Sequence, residues 1–522
     1  MSTAQTARSE QAPGATADHL PPGRRWAALG VLAASLLVVV MDMTILNVAL
    51  PEMAAALSPT AAQQLWIVDI YALVLAGLLV TMSTLGDRWG RRRMLLTGFA
   101  IFGAASLLIL VAESAPMVIA VRAMLGVGGA MIMPATLSMI RSLFTDPGER
   151  AKALGVWAAV ASLGAAVGPI VGGVLLEHFS WHAAFLVNVP LMAAALVAGL
   201  LLLPEARNPR PGRWDALATG LSIAGMVALI WGIKRVAKEG PTDLLALGAL
   251  CAALVLLVWF VVRCLNSESP LLRVRLFAVP SFTAGTLAAL FITLAMGSAL
   301  LLAAQWLQLV QGHSPLQAGI RLLPMAVAAA VVSPLAPVLA QRIGARTVLV
   351  GGLAVAGTGF GVLALAPDPL TYGAIAAFMA LLGAGMGSLA IASAIIMSGT
   401  PAEHAGSAAA IEETAYELGA VLGIATLGSA AAALYRAHLP ASDLAAAGLD
   451  STQVATAQDS LGSALHVLSE LGEAGAVAAA QAQTAFTDGF TLVGALGAGV
   501  MLTSVVVVFA LTPKNLDVTK GH

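Results

Sequence analysis

The sequence predicts an all-α integral membrane protein that crosses the bilayer about fourteen times. Three observations carry that prediction. The 522 residues are 59% hydrophobic and only 10% charged, with mean hydropathy +0.91, whereas soluble domains carry about 25% charged residues. Apolar runs of the length a span needs, about 20 residues, recur along the chain. They are too long and too uniformly apolar for barrel strands, which leaves helix as the state that satisfies its own backbone in lipid. Lys and Arg gather in alternate loops, which is the third observation.

The segment 1–25 is polar and rich in Ala, Thr and Pro, with no basic stretch leading directly into a short apolar core. It reads as a cytoplasmic tail, and the first apolar run as a retained span rather than a cleaved signal. Residues 26–203 hold six runs, near 26–48, 63–84, 94–112, 116–140, 153–177 and 183–203. A Pro- and Arg-rich linker, 204–215, opens the region 204–280, which carries two further runs at 216–235 and 243–263. Residues 281–511 supply the last six, at 281–306, 317–340, 347–366, 371–397, 406–434 and 486–511, and 512–522 form a second cytoplasmic tail. Both cysteines, Cys251 and Cys264, fall in or beside the eighth run, so neither a disulfide framework nor a metal cluster is indicated. With both termini inside, every Lys and Arg except Arg122, Lys234, Arg235, Lys238, Arg321 and Arg436 falls on the inner side. That bias sets the orientation and requires an even number of spans.

Two loops look alike. Gly86-Asp87-Arg88-Trp89-Gly90-Arg91-Arg92 joins spans 2 and 3, and Ala340-Gln341-Arg342-Ile343-Gly344-Ala345-Arg346 joins spans 10 and 11. Matching them makes spans 1–6 one repeat and 9–14 another, with spans 7 and 8 inserted between. The outer segment 436–485, between spans 13 and 14, is rich in Ala, Leu, Ser and Gln, and its pattern suggests two short amphipathic helices. It is either a tolerated surface insertion or a gating or membrane-surface element.

Carboxylates inside the spans point to function. Span 13 contains Ala-Ile-Glu-Glu-Thr-Ala-Tyr-Glu-Leu, with Glu412, Glu413 and Glu417. Burying one acid in a membrane helix costs roughly 2.5–3.5 kcal/mol, so three acids in six residues are hard to explain as passive structure. Asp42 in span 1 and Asp69 in span 2 make the same argument. Such groups usually bind ions or substrate, or carry protons. Glu413 and Glu417 share a helix face, and Glu412 lies about 100° away. Burial and neighbouring like charge both penalise an ionised carboxylate, so a proton or a cation compensates it there. Competition between the two is sufficient for antiport if they favour opposite-facing states. Glu413 is expected to carry the larger role, then Glu412, then Glu417.

Arg122 in span 4 lies at a depth close to that of Asp42 and Asp69 and needs a partner. The three either serve proton or substrate binding or form a structural ion pair, with Arg122 tuning the acids. Met41, Met43, Trp66, Tyr71, Trp306 and Tyr416 stand near these acids and suit a cation pocket, or serve lipid contact and helix packing. Residues 322–340 of span 10 carry no acid, which should weaken any preference for dications. Gly164, Gly168 and Gly172 recur every fourth residue in span 5 and form a smooth face for a second backbone, with Gly173 beside them and Pro169 adding a bend. In the first loop, Gly86 and Gly90 frame a tight turn. Asp87 can pair with a basic neighbour or a helix N-terminus, and with Arg88 it is a candidate conformational latch. Arg91, Arg92 and Arg93 anchor the inner side.

Met41-Asp42-Met43-Thr44-Ile45-Leu46-Asn47-Val48-Ala49-Leu50-Pro51, Gln64-Leu65-Trp66-Ile67-Val68-Asp69-Ile70-Tyr71, the Gly86-Asp87-Arg88-Trp89-Gly90 loop, Arg122-Ala123-Met124-Leu125-Gly126-Val127-Gly128 and Gly164-Ala165-Ala166-Val167-Gly168-Pro169-Ile170-Val171-Gly172-Gly173 occur in this order. Together they resemble the motif series of the major facilitator superfamily, specifically its 14-helix drug:proton antiporters. Span 13 resembles the subset that exports quaternary ammonium and other cationic antiseptics. The resemblance implies a major facilitator fold of two six-helix bundles plus two inserted helices, and the span-5 pattern marks exporters. It implies a monomer in the bacterial inner cell membrane, with cationic drugs and protons as partners besides the lipid bilayer. No nucleic acid, metal or cofactor is expected, because a proton gradient drives the cycle. The sequence has no Gly-x-x-x-x-Gly-Lys-Ser/Thr loop and no Gly-Lys dipeptide, so it carries no P-loop ATPase. It also shows no nucleophile–base pair of an enzyme within the spans. An exporter of an endogenous metabolite, antibiotic or siderophore is the alternative within transport. A transporter-like receptor or regulator is the alternative of another class.

Overall fold

The computed structural model describes residues 21–57, 61–206, 215–240, 242–268, 270–401, 404–469 and 471–514, with a few side chains inside those helices, Asp69 among them, outside the described residues. Among the described residues every regular element is helical. The first six long helices are α1 (Pro22–Leu57), α2 (Ala61–Trp89), α3 (Arg91–Leu108), α4 (Ala115–Leu143), α5 (Pro147–His178) and α6 (Asn188–Leu202). Two more follow, α7 (Ala216–Glu239) and α8 (Leu244–Asn266). The last six are α9 (Pro280–Gln305), α10 (Leu323–Ile343), α11 (Ala345–Ala364), α12 (Tyr372–Gly385, continued by Gly387–Ser398), α13 (Ala405–Gly423, continued by Ser429–His438) and α14 (Glu473–Leu511). Among the described residues thirteen helical spans are long and apolar enough to cross a membrane, and α5 adds a shorter apolar stretch, Val167–His178. The chain is a multi-pass membrane protein.

The helix starts follow local chemistry. Asp146, Asp215 and Asp243 precede α5, α7 and α8, and each side chain accepts a first-turn N–H, satisfying a donor the helix cannot. The two similar loops adopt one turn. α2 stops at Trp89 and α10 at Ile343, and Gly90 (φ 111°) and Gly344 (φ 89°) take the left-handed conformation that restarts the chain as α3 and α11.

α1 packs on α5, α2 and α3 pack on α4, and α3 packs on α6. In the second set α9 packs on α13, α10 on α12, and α11 on α12 and α14. The two sets meet along α5 with α10 and α2 with α13. α7 packs on α8 and α2 and touches α13, while α8 turns Leu254, Val255, Trp259 and Val262 outward. The span-5 glycines serve the α1 contact: a Cβ at Gly164 would lie 3.0 Å from Leu37 O, and one at Gly168 would overlap the Thr44 hydroxyl. Pro169 lies inside α5, and Gly173 faces Leu316 of the short helix Pro315–Arg321 that leads into α10. α9 and α13 approach as closely, since a Cβ at Gly423 would overlap the Leu294 carbonyl. Both helices contain one π turn beyond this contact, Trp306–Val310 and Ile424–Gly428.

The outer segment differs from expectation. Helix α13 runs to His438 and α14 begins at Glu473, so the connecting insertion is shorter than 436–485 and folds as three helices, Ala441–Ala446, Ser451–Asp459 and Leu461–Ser469. The Ala- and Gln-rich stretch before the fourteenth apolar run has high helix propensity and simply extends α14. Tyr435 donates to Ala457 O (3.0 Å) and Gln483 to Leu309 O (2.9 Å), fastening the insertion region to α13, α14 and the end of α9.

Candidate functional site

Two buried charge clusters lie on opposite sides of the seam between the helix sets. In the first, α1 supplies Asp42 and α4 supplies Arg122, both buried, with Arg122 Nη1 donating to Asp42 Oδ2 at 2.7 Å. Asn188, at the start of α6, donates from Nδ2 to Asp42 Oδ1 at 2.7 Å. Arg122 Nε donates to Ile67 O (3.3 Å), and its guanidinium sits 4.5 Å above the Tyr71 ring. Each Asp42 oxygen thus has a strong donor, as a buried charge requires.

The second cluster is on α13. Glu412, Glu413 and Glu417 are all buried. Oε1 of Glu412 accepts from the hydroxyls of Ser393 on α12 and of Tyr416, which are 3.0 Å from each other. The Tyr416 ring lies 6.4 Å from that of Trp157 on α5, joining the two helix sets at this depth. Glu413 is different: both of its carboxylate oxygens are buried with no hydrogen-bond partner among the described residues. Glu417 lies one turn beyond Glu413 on the same face of α13, the helix that packs on α2, which carries Tyr71.

The remaining candidates divide. Met41 and Tyr71 are buried and Met43 half-buried near Asp42, whereas Trp66 is exposed. Trp306 is buried at the π turn of α9 with its indole N–H unpartnered among the described residues. Asp69 carries its backbone in α2, but its side chain lies outside the described residues. At the arginine-rich end Asp87 pairs with Arg91 at 3.0 Å, and Arg91 also donates to Ser138 O (3.1 Å) and Ser142 Oγ (2.6 Å). Arg88 is exposed beside Trp89 and Arg93, while Gly86 packs on Met94. The Asp87 carboxylate abuts Gly406 in the first turn of α13, Ser83 donates to Gly406 O, and Arg141 donates to Thr400 O. These contacts tie the two helix sets together at this end, with Asp87 at a helix N-terminus that favours negative charge.

A Gly406→Val substitution is expected to displace Asp87, because a Cβ there would overlap its carboxylate. Overpacking of about 1–3 kcal/mol should raise maleimide labelling of a cysteine placed at Ser83 several-fold. Unchanged labelling would show that Asp87 does not hold this end closed.

Asn188, Ser393 and Trp157 join the site without having been singled out in the sequence. Asn188 is the sole amide of its apolar run and offered a signal. Ser393 did not, since serines in lipid-spanning helices commonly bond their own backbone.

Residues 32–424 match the Major Facilitator Superfamily. The chain belongs to that superfamily, and it is a transporter. It is 42% identical over 489 residues to the multidrug efflux pump LfrA of Mycolicibacterium smegmatis, covering 93% of this chain and 96% of that protein. It is 36% identical over 449 residues to the methyl viologen resistance protein SmvA of Salmonella typhimurium, covering 86% and 90%. Its fold is similar to that of a bacterial homolog of the human lysosomal transporter Spinster in an inward-facing, unoccupied conformation, with TM-score 0.56 at 18% identity over 94% of this chain and 98% of that one.

Proposed function

We propose that this chain is a proton-coupled multidrug antiporter of the 14-helix class that exports cationic amphipathic compounds, quaternary ammonium antiseptics and dyes among them. The observation that carries the reading is Glu413, a carboxylate fully buried at the seam with no hydrogen-bond partner for either oxygen among the described residues. An uncompensated buried carboxylate is costly, so the position suits two alternating occupants, a proton and an organic cation. Tyr416 and Trp157 beside it offer aromatic faces worth about 0.5–2 kcal/mol to such a cation. The names of the two relatives, a multidrug efflux pump and a methyl viologen resistance protein, agree with export of cations.

In this reading α1–α6 and α9–α14 are the two six-helix bundles, and α7 and α8 the inserted pair. The arginine-rich end faces the cytoplasm of a bacterial cell, as do both termini, and the protein acts as a monomer in the inner membrane without a cofactor. Asp42, with Arg122 and Asn188, takes or relays the proton from the outer side. The proton and the drug then exclude each other at Glu413 in states open to opposite sides.

The test is proton release from purified, reconstituted protein on adding ethidium or benzalkonium. Release that saturates with drug, together with dye efflux abolished by an uncoupler, is the expected result. Proton movement indifferent to both compounds would overturn the reading in favour of another exported substrate.

A further inference from the structure

Tyr416 has two carboxylates to choose from. Side chains on a helix lean back over the preceding turn, so the Tyr416 ring lies beside both Glu412, four residues back, and Glu413, three residues back. Its hydroxyl donates to Glu412, and both Glu413 oxygens are left without a hydrogen-bond partner among the described residues. Two neighbours bear on that choice. Ser393 of α12 donates to the same Glu412 oxygen and stands 3.0 Å from the Tyr416 hydroxyl. Trp157 of α5 holds its ring 6.4 Å from that of Tyr416, tilted by 31°, within the range at which aromatic rings interact.

Trp157 is itself fastened. Its indole N–H donates to the Thr136 hydroxyl of α4 at 3.2 Å, and that hydroxyl donates to Met133 O of its own helix at 2.7 Å. The back-bond commits the Thr136 proton and leaves the oxygen free to accept. Thr136 is fully buried and Trp157 is 3% exposed. A buried indole N–H needs an acceptor, and this one fixes the plane of the ring. A chain of side chains therefore runs across four helices and the seam, from Thr136 through Trp157 and Tyr416 to Glu412 and Ser393.

We propose that Thr136 is a positioning residue for the cation site: by anchoring Trp157 it keeps the Tyr416 hydroxyl on Glu412 and leaves Glu413 free for its proton or its cation. Without the anchor the indole turns toward another acceptor, and the Tyr416 ring gains room. Its hydroxyl then reaches Glu413 and occupies an oxygen that the cation needs. This inference rests on the reading of Glu413 as the cation site.

Ethidium binding to the purified full-length protein tests it. Thr136→Val, close in shape but without the hydroxyl, should weaken ethidium binding about tenfold, the factor that 1.4 kcal/mol gives. Thr136→Ser keeps the hydroxyl and should bind ethidium as the wild type does. In a Tyr416→Phe background there is no hydroxyl left to misplace, so adding Thr136→Val should change the dissociation constant no further. Trp157→Phe, which leaves no indole N–H unpaired, repeats both measurements if Thr136→Val does not fold. Wild-type affinity in Thr136→Val, an equal loss in Thr136→Ser, or the same loss in both backgrounds, as a role in packing alone gives, would overturn the proposal. Failure of the underlying reading is distinguishable, because ethidium binding would then survive Glu413→Gln whatever Thr136 does.

Discussion

Glu413→Gln is expected to abolish uncoupler-sensitive efflux while leaving the protein as stable as the wild type. The two side chains are isosteric, and among the described residues Glu413 makes no hydrogen bond whose loss would be felt in folding. The carboxylate's functions are lost, however. An amide takes up no proton in the physiological range and offers no charge to a cation. Losing one close charge pair in a buried site costs about 2 kcal/mol or more, about thirtyfold in affinity, and coupling disappears with the proton. Drug-dependent proton release from proteoliposomes, read beside a thermal melt, checks both halves of the statement. Wild-type release in a well-folded Glu413→Gln protein would remove Glu413 from the mechanism. Glu412 should behave differently, because Ser393 and Tyr416 already donate to it. Its first role in this geometry is to hold the Tyr416 ring against Trp157.

The parts of this molecule that were legible in its sequence are those with large free-energy signatures. Apolar runs of span length gave the helices, and acids inside those runs marked both charge clusters. The insertion between α13 and α14 was read too long because the Ala- and Gln-rich stretch is polar enough to leave the membrane yet helical enough to continue α14. Asp87 was expected to pair with a basic neighbour or a helix N-terminus, and the i, i+4 spacing that brings Arg91 alongside was there to say which neighbour it is. Uncharged partners were quieter. Ser393 and Trp157 cost little to insert, and only packing between distant helices gives them meaning. The features that distinguish Glu413 from Glu412, adjacent acids in one helix, are likewise set by what faces each from α12 and α5.

Asp42→Ala should behave as the converse of Glu413→Gln and destabilise the fold strongly. Both Asp42 oxygens are engaged, by Arg122 and by Asn188 at 2.7 Å each, and Arg122 is 2% exposed. Removing the acid leaves a guanidinium buried without its charge partner, a loss of about 3–5 kcal/mol, which a thermal melt in detergent should register as a drop of several degrees. The double variant Asp42→Ala with Arg122→Met removes both charges and should recover most of that stability, because the cost lies in the orphaned cation rather than in the absent pair. This cycle also separates two roles. If Asp42 only holds α1 to α4, restoring stability restores drug-coupled proton release. If it carries the proton toward the seam, the double variant melts like the wild type and still fails to couple. The second outcome is expected, since Tyr71, with the Arg122 guanidinium 4.5 Å above its ring, stands on α2, the helix of the first set that packs on α13 across the seam. A single Asp42→Ala variant that melts at the wild-type temperature would show instead that the Asp42–Arg122 pair contributes nothing to holding the first helix set together.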